Sequence, residues 1–199
     1  MEPRILIRPY IILGVFFILE GDRMKLFIGC SSHPEIDKKY IEDADFISKA
    51  LADYGYDLII GGISNGGMFG KILNNFNATH RNIKIYTLKL YNEDTSLFNA
   101  DCTYVENTFE REARIYNEAS KVLILPGGTG SLAELFSMLE DNRTIKSTKE
   151  IIIYNQDGYY YDLIKFITKL IKEKFNDYSI LNYIKIFNEK EDLIKYLEV

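Results

Sequence analysis

Apolar and polar positions alternate along this chain with two periods. Short apolar runs occupy residues 25–30, 57–60, 83–88, 102–105, 121–125, 150–154 and 184–187, and each reads as a strand. Between them apolar residues recur at helical spacing. Ile41, Ala44, Ile47, Ala50, Leu51 and Tyr54 set one such stripe. Further helices are expected over 68–76, 109–120, 131–139, 161–174 and 189–197. The run Val122-Leu123-Ile124-Leu125 is apolar on both alternating faces, as in a strand covered on both sides. Strand and helix alternate throughout, so the pattern predicts an α/β, Rossmann-like fold: a mostly parallel sheet with helices on both faces. The polar connections 92–100 and 141–149 are expected to be its loosest segments. No repeat or linker divides the chain, and residues 24–199 read as one domain.

The N-terminus departs from this pattern. Residues 10–19 are apolar and follow Arg4 and Arg8, which resembles a short signal sequence. The run is too short for a comfortable membrane span, and no small-residue cleavage site follows it. Met24-Lys25-Leu26-Phe27 enters directly into the first strand, and Glu20-Gly21-Asp22 back-translates to a purine-rich ribosome-binding sequence. Residues 1–23 are therefore expected to be an upstream extension, with a secretory signal as the alternative.

Composition narrows the function. The chain has 199 residues, a net charge of −5 and no dense Lys/Arg stripe, which disfavours a nucleic-acid backbone as partner. Two cysteines and two histidines exclude a disulfide framework and a multi-His zinc site. Cys30 and Cys102 adjoin apolar runs and read as reduced, buried thiols. No metal, cofactor or membrane is expected, and the location expected is the cytoplasm.

Two Gly-rich segments follow strands: Gly61-Gly62-Ile63-Ser64-Asn65-Gly66-Gly67-Met68-Phe69-Gly70 and Pro126-Gly127-Gly128-Thr129-Gly130-Ser131. In open α/β sheets ligands bind beyond the carboxyl ends of the strands. Glycine permits close backbone approach, and the helix that follows offers free N–H groups to a phosphate. Ser64, Thr129 and Ser131 add hydroxyls. Neither segment is a P-loop, because Gly70-Lys71 precedes Ile72. Gly128-x-Gly130-x-x-Ala133 does fit the dinucleotide fingerprint, but after a late strand. Two readings of Glu134 remain open. Ser131-Leu132-Ala133-Glu134 has the form of a capping box, and the carboxylate also lies beside any phosphate or ribose held by the loop. Glu110 and Arg114 are spaced to pair along a solvated helix face, which would carry Arg111 and Glu112 with it. Tyr159, Tyr160 and Tyr161 read as core and interface residues.

Together, 61–70, Glu110-Arg111 and Pro126 to Glu134 resemble the LONELY GUY family, whose phosphoribohydrolases release cytokinin bases from riboside 5′-monophosphates. Phe27-Ile28-Gly29-Cys30-Ser31-Ser32 and Asp157-Gly158-Tyr159-Tyr160 extend the resemblance over nearly all of 24–199. It implies a dimeric Rossmann-like protein that hydrolyses the N-glycosidic bond of a nucleoside 5′-monophosphate. Arg111 and Glu134 are then the catalytic residues. Gly62, Ser64, Gly66, Glu93, Gly127, Gly128, Thr129, Gly130 and Ser131 are the substrate contacts. This sequence departs from the family pattern at Glu112, where the family has Lys, at Ser131 for Thr, at Ile63 for the third Gly, and at Phe69. Glu112 exchanges a cation for an anion near a dianionic ligand. It therefore keeps a nucleotide sensor without turnover as the alternative to the hydrolase, ahead of a dinucleotide-dependent oxidoreductase.

Overall fold

The structure is a computed structural model that describes residues 24–91, 94, 96, 98–145 and 149–198. The N-terminal 23 residues and Glu93 lie outside the described residues. The strands are β1 Lys25–Gly29, β2 Asp57–Ile60, β3 Ile83–Leu88, β4 Asp101–Val105, β5 Lys121–Ile124, β6 Glu150–Tyr154 and β7 Ile184–Phe187. The helices are α1 Lys38–Asp53, α2 Gly67–Ala78, α3 Thr108–Glu118, α4 Thr129–Ile145, α5 Tyr161–Lys172 and α6 Lys190–Leu197. All seven strands are parallel, in the order β4-β3-β2-β1-β5-β6-β7. The fold is Rossmann-like, as the alternation predicts.

The pleat sorts the core into two layers. Leu26 and Ile28 of β1 and Leu58 and Ile60 of β2 face α1, α2 and α6, where they meet Ile47, Leu51, Ile72, Leu73, Phe76 and Leu193. Phe27 and Ile59 face the other way, onto Ile115, Leu135, Met138 and Leu139 of α3 and α4. Register holds the centre level: Phe27 pairs with Ile59 on one side and Val122 on the other. The chain runs outward from β1 to β4, returns to β5 and runs outward again. The reversal between β1 and β5 leaves a crevice at their carboxyl ends, and all the loops of interest open onto it.

Local chemistry sets the helix ends. Asp37 accepts from Lys39 N at 3.1 Å, so α1 starts ahead of its apolar stripe. Asn107 accepts from Glu110 N at 2.9 Å, and Glu110 in turn accepts from Glu106 N at 3.0 Å. Helix α4 is longer than the apolar pattern predicts, because part of the polar connection 141–149 belongs to it. Asn142 is fully buried. It accepts from the Tyr116 hydroxyl at 3.0 Å and donates to Lys149 O at 2.7 Å. Its polarity therefore marks a satisfied interior position. In the other connection, Phe98 is buried against the core.

Replacing Asn142 with Ala removes its buried hydrogen bonds to the Tyr116 hydroxyl and to Lys149 O. Urea denaturation should show a loss of about 2–3 kcal/mol.

Candidate functional site

A cavity of about 530 Å³ occupies the crevice, within the range of small-molecule sites. Its floor is Ile28 and Cys30 at the end of β1. Its walls are the first Gly-rich loop, the start of α4 and Arg111 from α3. Arg111 and Glu134 face each other across it, with Nη2 3.6 Å from Oε1. Both are buried, at 8% and 7% exposed.

Backbone without side chains makes the room. A Cβ on Gly61 would lie 2.9 Å from Glu134 Oε1, and one on Gly29 would lie 3.0 Å from Oε2. Gly29 ends β1 and Gly61 directly follows β2, so the carboxylate sits over the strand ends. Arg111 Nη1 donates to Gly61 O at 3.2 Å, which ties α3 to the same loop. Arg111 Nε is buried and has no hydrogen-bond partner among the described residues. One donor of the fork is thus left over, on the guanidinium that faces the cavity.

The capping reading of Glu134 does not survive the helix boundary. Helix α4 starts at Thr129, and its first bond runs from Leu132 N to Gly128 O at 3.1 Å. Ser131 is therefore inside the first turn. Its hydroxyl donates to Cys30 O at 3.0 Å and fastens α4 to β1. The N–H groups of Thr129, Gly130 and Ser131 precede that first intrahelical bond. Nothing lies within 4 Å of a Cβ placed on Gly128 or Gly130, so the loop surface there is open.

Burial pushes the Glu134 carboxyl up to about 7. Arg111 opposes the shift, and Glu112 reinforces it. The same burial raises the Cys30 thiol, with Glu134 adding to it. Glu112 is itself only 9% exposed. Glu110 and Arg114 do form the expected surface pair, at 2.8 Å, but Arg111 and Glu112 point inward.

Of the residues named from sequence, Gly62, Ser64, Arg111, Gly130, Ser131 and Glu134 line this one cavity. Gly66 caps α2 and exchanges hydrogen bonds with the Ser64 hydroxyl, outside the lining. Gly127 is buried behind the loop, where a Cβ would meet Ser131 Oγ at 2.2 Å. Gly128 and Thr129 are exposed on the rim. Sequence reasoning missed Gly29, Gly61, Phe69 and Tyr91. Gly29 carried a signal, as the glycine that closes the first apolar run. Tyr159 and Tyr160 brace the second loop from below, donating to Gly127 O and Leu125 O, each at 2.8 Å.

Among the described residues, no group of three His, Cys, Asp or Glu side chains is arranged to hold a metal. No helix among them is long and apolar enough to cross a membrane.

The sequence profile described as possible lysine decarboxylase matches residues 67–197. The chain belongs to this family. Its LONELY GUY relatives include a probable cytokinin riboside 5′-monophosphate phosphoribohydrolase of Oryza sativa subsp. japonica, 29% identical over 186 residues. That match covers 92% of this chain and 76% of the relative. A cytokinin riboside 5′-monophosphate phosphoribohydrolase of Arabidopsis thaliana is 25% identical, covering 90% and 85%. Among solved structures, the molybdenum cofactor carrier protein of Chlamydomonas reinhardtii superposes with a TM-score of 0.67 at 13% identity, covering 88% and 96%. The molybdenum cofactor binding protein of Rippkaea orientalis gives 0.65 at 14%, covering 89% and 96%. At such identities these structures show that the LONELY GUY chain shares their fold.

The raised Glu134 carboxyl has a signed consequence. Between about 4.5 and 7 the folded state binds the extra proton, so stability falls as pH rises through that window. Glu134→Gln stays neutral and lacks this slope. Urea midpoints across pH 4 to 8 should show the variant gaining on the wild type by on the order of 3 kcal/mol.

Proposed function

We propose that this protein hydrolyses the N-glycosidic bond of a nucleoside 5′-monophosphate, giving the free base and ribose 5-phosphate. The observation that carries the reading is the buried Arg111–Glu134 pair beside the open amides of α4. The names of the LONELY GUY relatives support it at the level of the family, with cytokinin riboside monophosphates as the substrate class.

Cleavage at C1′ passes through an oxocarbenium-like state. A carboxyl poised near 7 is partly ionised at neutral pH. Its ionised form attracts the developing positive charge or accepts a proton from the attacking water. Arg111 directs its leftover Nε–H at the phosphate or the departing base, and its fixed fork orients what it touches. The 5′-phosphate sits at the start of α4, against the N–H groups of Thr129, Gly130 and Ser131. It is not cleaved; its binding energy positions C1′ under Glu134. The Ser131 hydroxyl serves the fold through Cys30 O, so the backbone carries the phosphate. We further assign the protein to the cytoplasm, as a homodimer.

A second reading is a nucleotide sensor that binds without turnover. Buried Glu112 favours it, because the anion stands where the family pattern has a lysine and leaves Arg111 as the one cation among the described lining residues.

Chromatography of a nucleoside monophosphate panel separates the two. Hydrolysis predicts free base from wild type. Glu134→Gln should release it about 10²–10⁴-fold more slowly while still binding adenosine monophosphate. Tight binding with no base released from any substrate would establish the sensor instead.

A further inference from the structure

The ligand edge of the sheet carries a second cavity, of about 350 Å³, beyond β6 and β7. Asp43 of α1, Tyr154 at the end of β6, Gln156 in the turn after it, and Glu189, Lys190 and Glu191 at the start of α6 line it. It shares no lining residue with the Arg111–Glu134 cavity.

Gln156 is 5% exposed. Its Nε2 donates to Lys39 O at 3.1 Å. That bond fixes the amide orientation, because a flipped amide would set two acceptors against each other. The other end of the amide, Oε1, is buried with no hydrogen-bond partner among the described residues. An acceptor in that position calls for a donor from outside the described residues.

The surroundings decide the donor's charge. Asp43 accepts from the Tyr154 hydroxyl and from Lys190 Nζ, each at 2.6 Å, so Lys190 is neutralised. Asp157, also on the wall, is neutralised by Lys39 at 2.8 Å. Glu189 and Glu191 remain at the rim, exposed and with no ion pair to a described residue. Two negative charges are thus left uncompensated. Neighbouring groups report the same field. The Tyr154 hydroxyl is held well above its ordinary range by burial and by the Asp43 bond, with Glu189 and Glu191 adding to it. Lys190 is raised by its Asp43 bond, with Glu191 adding. No trio of metal-ligating side chains is present among the described residues, which favours an N–H donor over a metal ion.

We propose that this cavity is a second binding site, for a small organic molecule bearing a protonated amine. The amine donates to Gln156 Oε1, and Glu189 and Glu191 balance its charge. The volume accommodates a short alkyl chain behind the ammonium group.

Calorimetry on the full chain tests this with 1,4-diaminobutane as probe and butane-1,4-diol as its uncharged counterpart of equal length. The diamine should bind saturably and the diol should not. The double variant Glu189→Gln/Glu191→Gln changes only exposed side chains, and it should weaken the diamine by about tenfold or more. Gln156→Met, which lacks the acceptor, should abolish binding in a protein that still melts cooperatively. Absence of saturable diamine binding, equal binding of the diol, or unchanged affinity in the glutamate variant would each overturn the proposal.

Discussion

Two opposite charges, Arg111 and Glu134, are held away from water where β1 and β2 end. Removing such a pair from solvent costs several kcal/mol per ion before their attraction returns any of it. The separation of 3.6 Å is long for a tight pair, and the carboxyl keeps a raised proton affinity despite its cationic neighbour. The pair is therefore a poor device for stability. Its cost is explained if the site needs a proton acceptor close to neutrality and a guanidinium with a donor to spare. The neighbouring features follow from that constraint. Gly29 and Gly61 lack side chains because the carboxylate occupies that space. The order in which strands are added reverses between β1 and β5 and so opens the crevice that contains it.

The second Gly-rich loop is held from three sides. Ser131 ties it to Cys30 O, Gly127 packs on Ser131 at a distance only glycine allows, and Tyr159 and Tyr160 hold its carbonyls from beneath. A loop fixed this way presents the α4 amides without having to reorganise when an anion arrives, which is the condition for useful electrostatic stabilisation. The tyrosines, read from sequence as core and interface residues, thus act behind the loop, and the Ser131 hydroxyl, at the cavity edge, is taken up by Cys30 O.

The sheet was legible because its central strands are almost wholly apolar and its helices are striped. The identity of the Gly-rich loops was legible for the same reason, since each follows a strand. Glu134 was not resolved by pattern alone. Ser131-x-x-Glu134 has the form of a cap, and only the first carbonyl of α4, that of Gly128, shows that the helix begins too early for it. The burial of Arg111 was readable in principle. It lies one turn before Ile115, and Glu112 one turn before Tyr116, so both occupy the buried stripe of α3. Charge masked that periodicity, as amide polarity masked Asn142 in α4. Polar residues inside a fold look like surface until their partners are known, and those partners, Gly61 O for Arg111 and Tyr116 for Asn142, come from distant parts of the chain.

The site depends on one titration. Carboxyl-carbon NMR of selectively labelled protein, with Glu134→Gln to assign the resonance, follows Glu134 through pH with and without adenosine monophosphate. A midpoint at about 7 that moves when the nucleotide is added is the predicted result. A midpoint near the ordinary glutamate value of about 4.3, indifferent to the nucleotide, would contradict the assignment of this pair as the working centre of the protein.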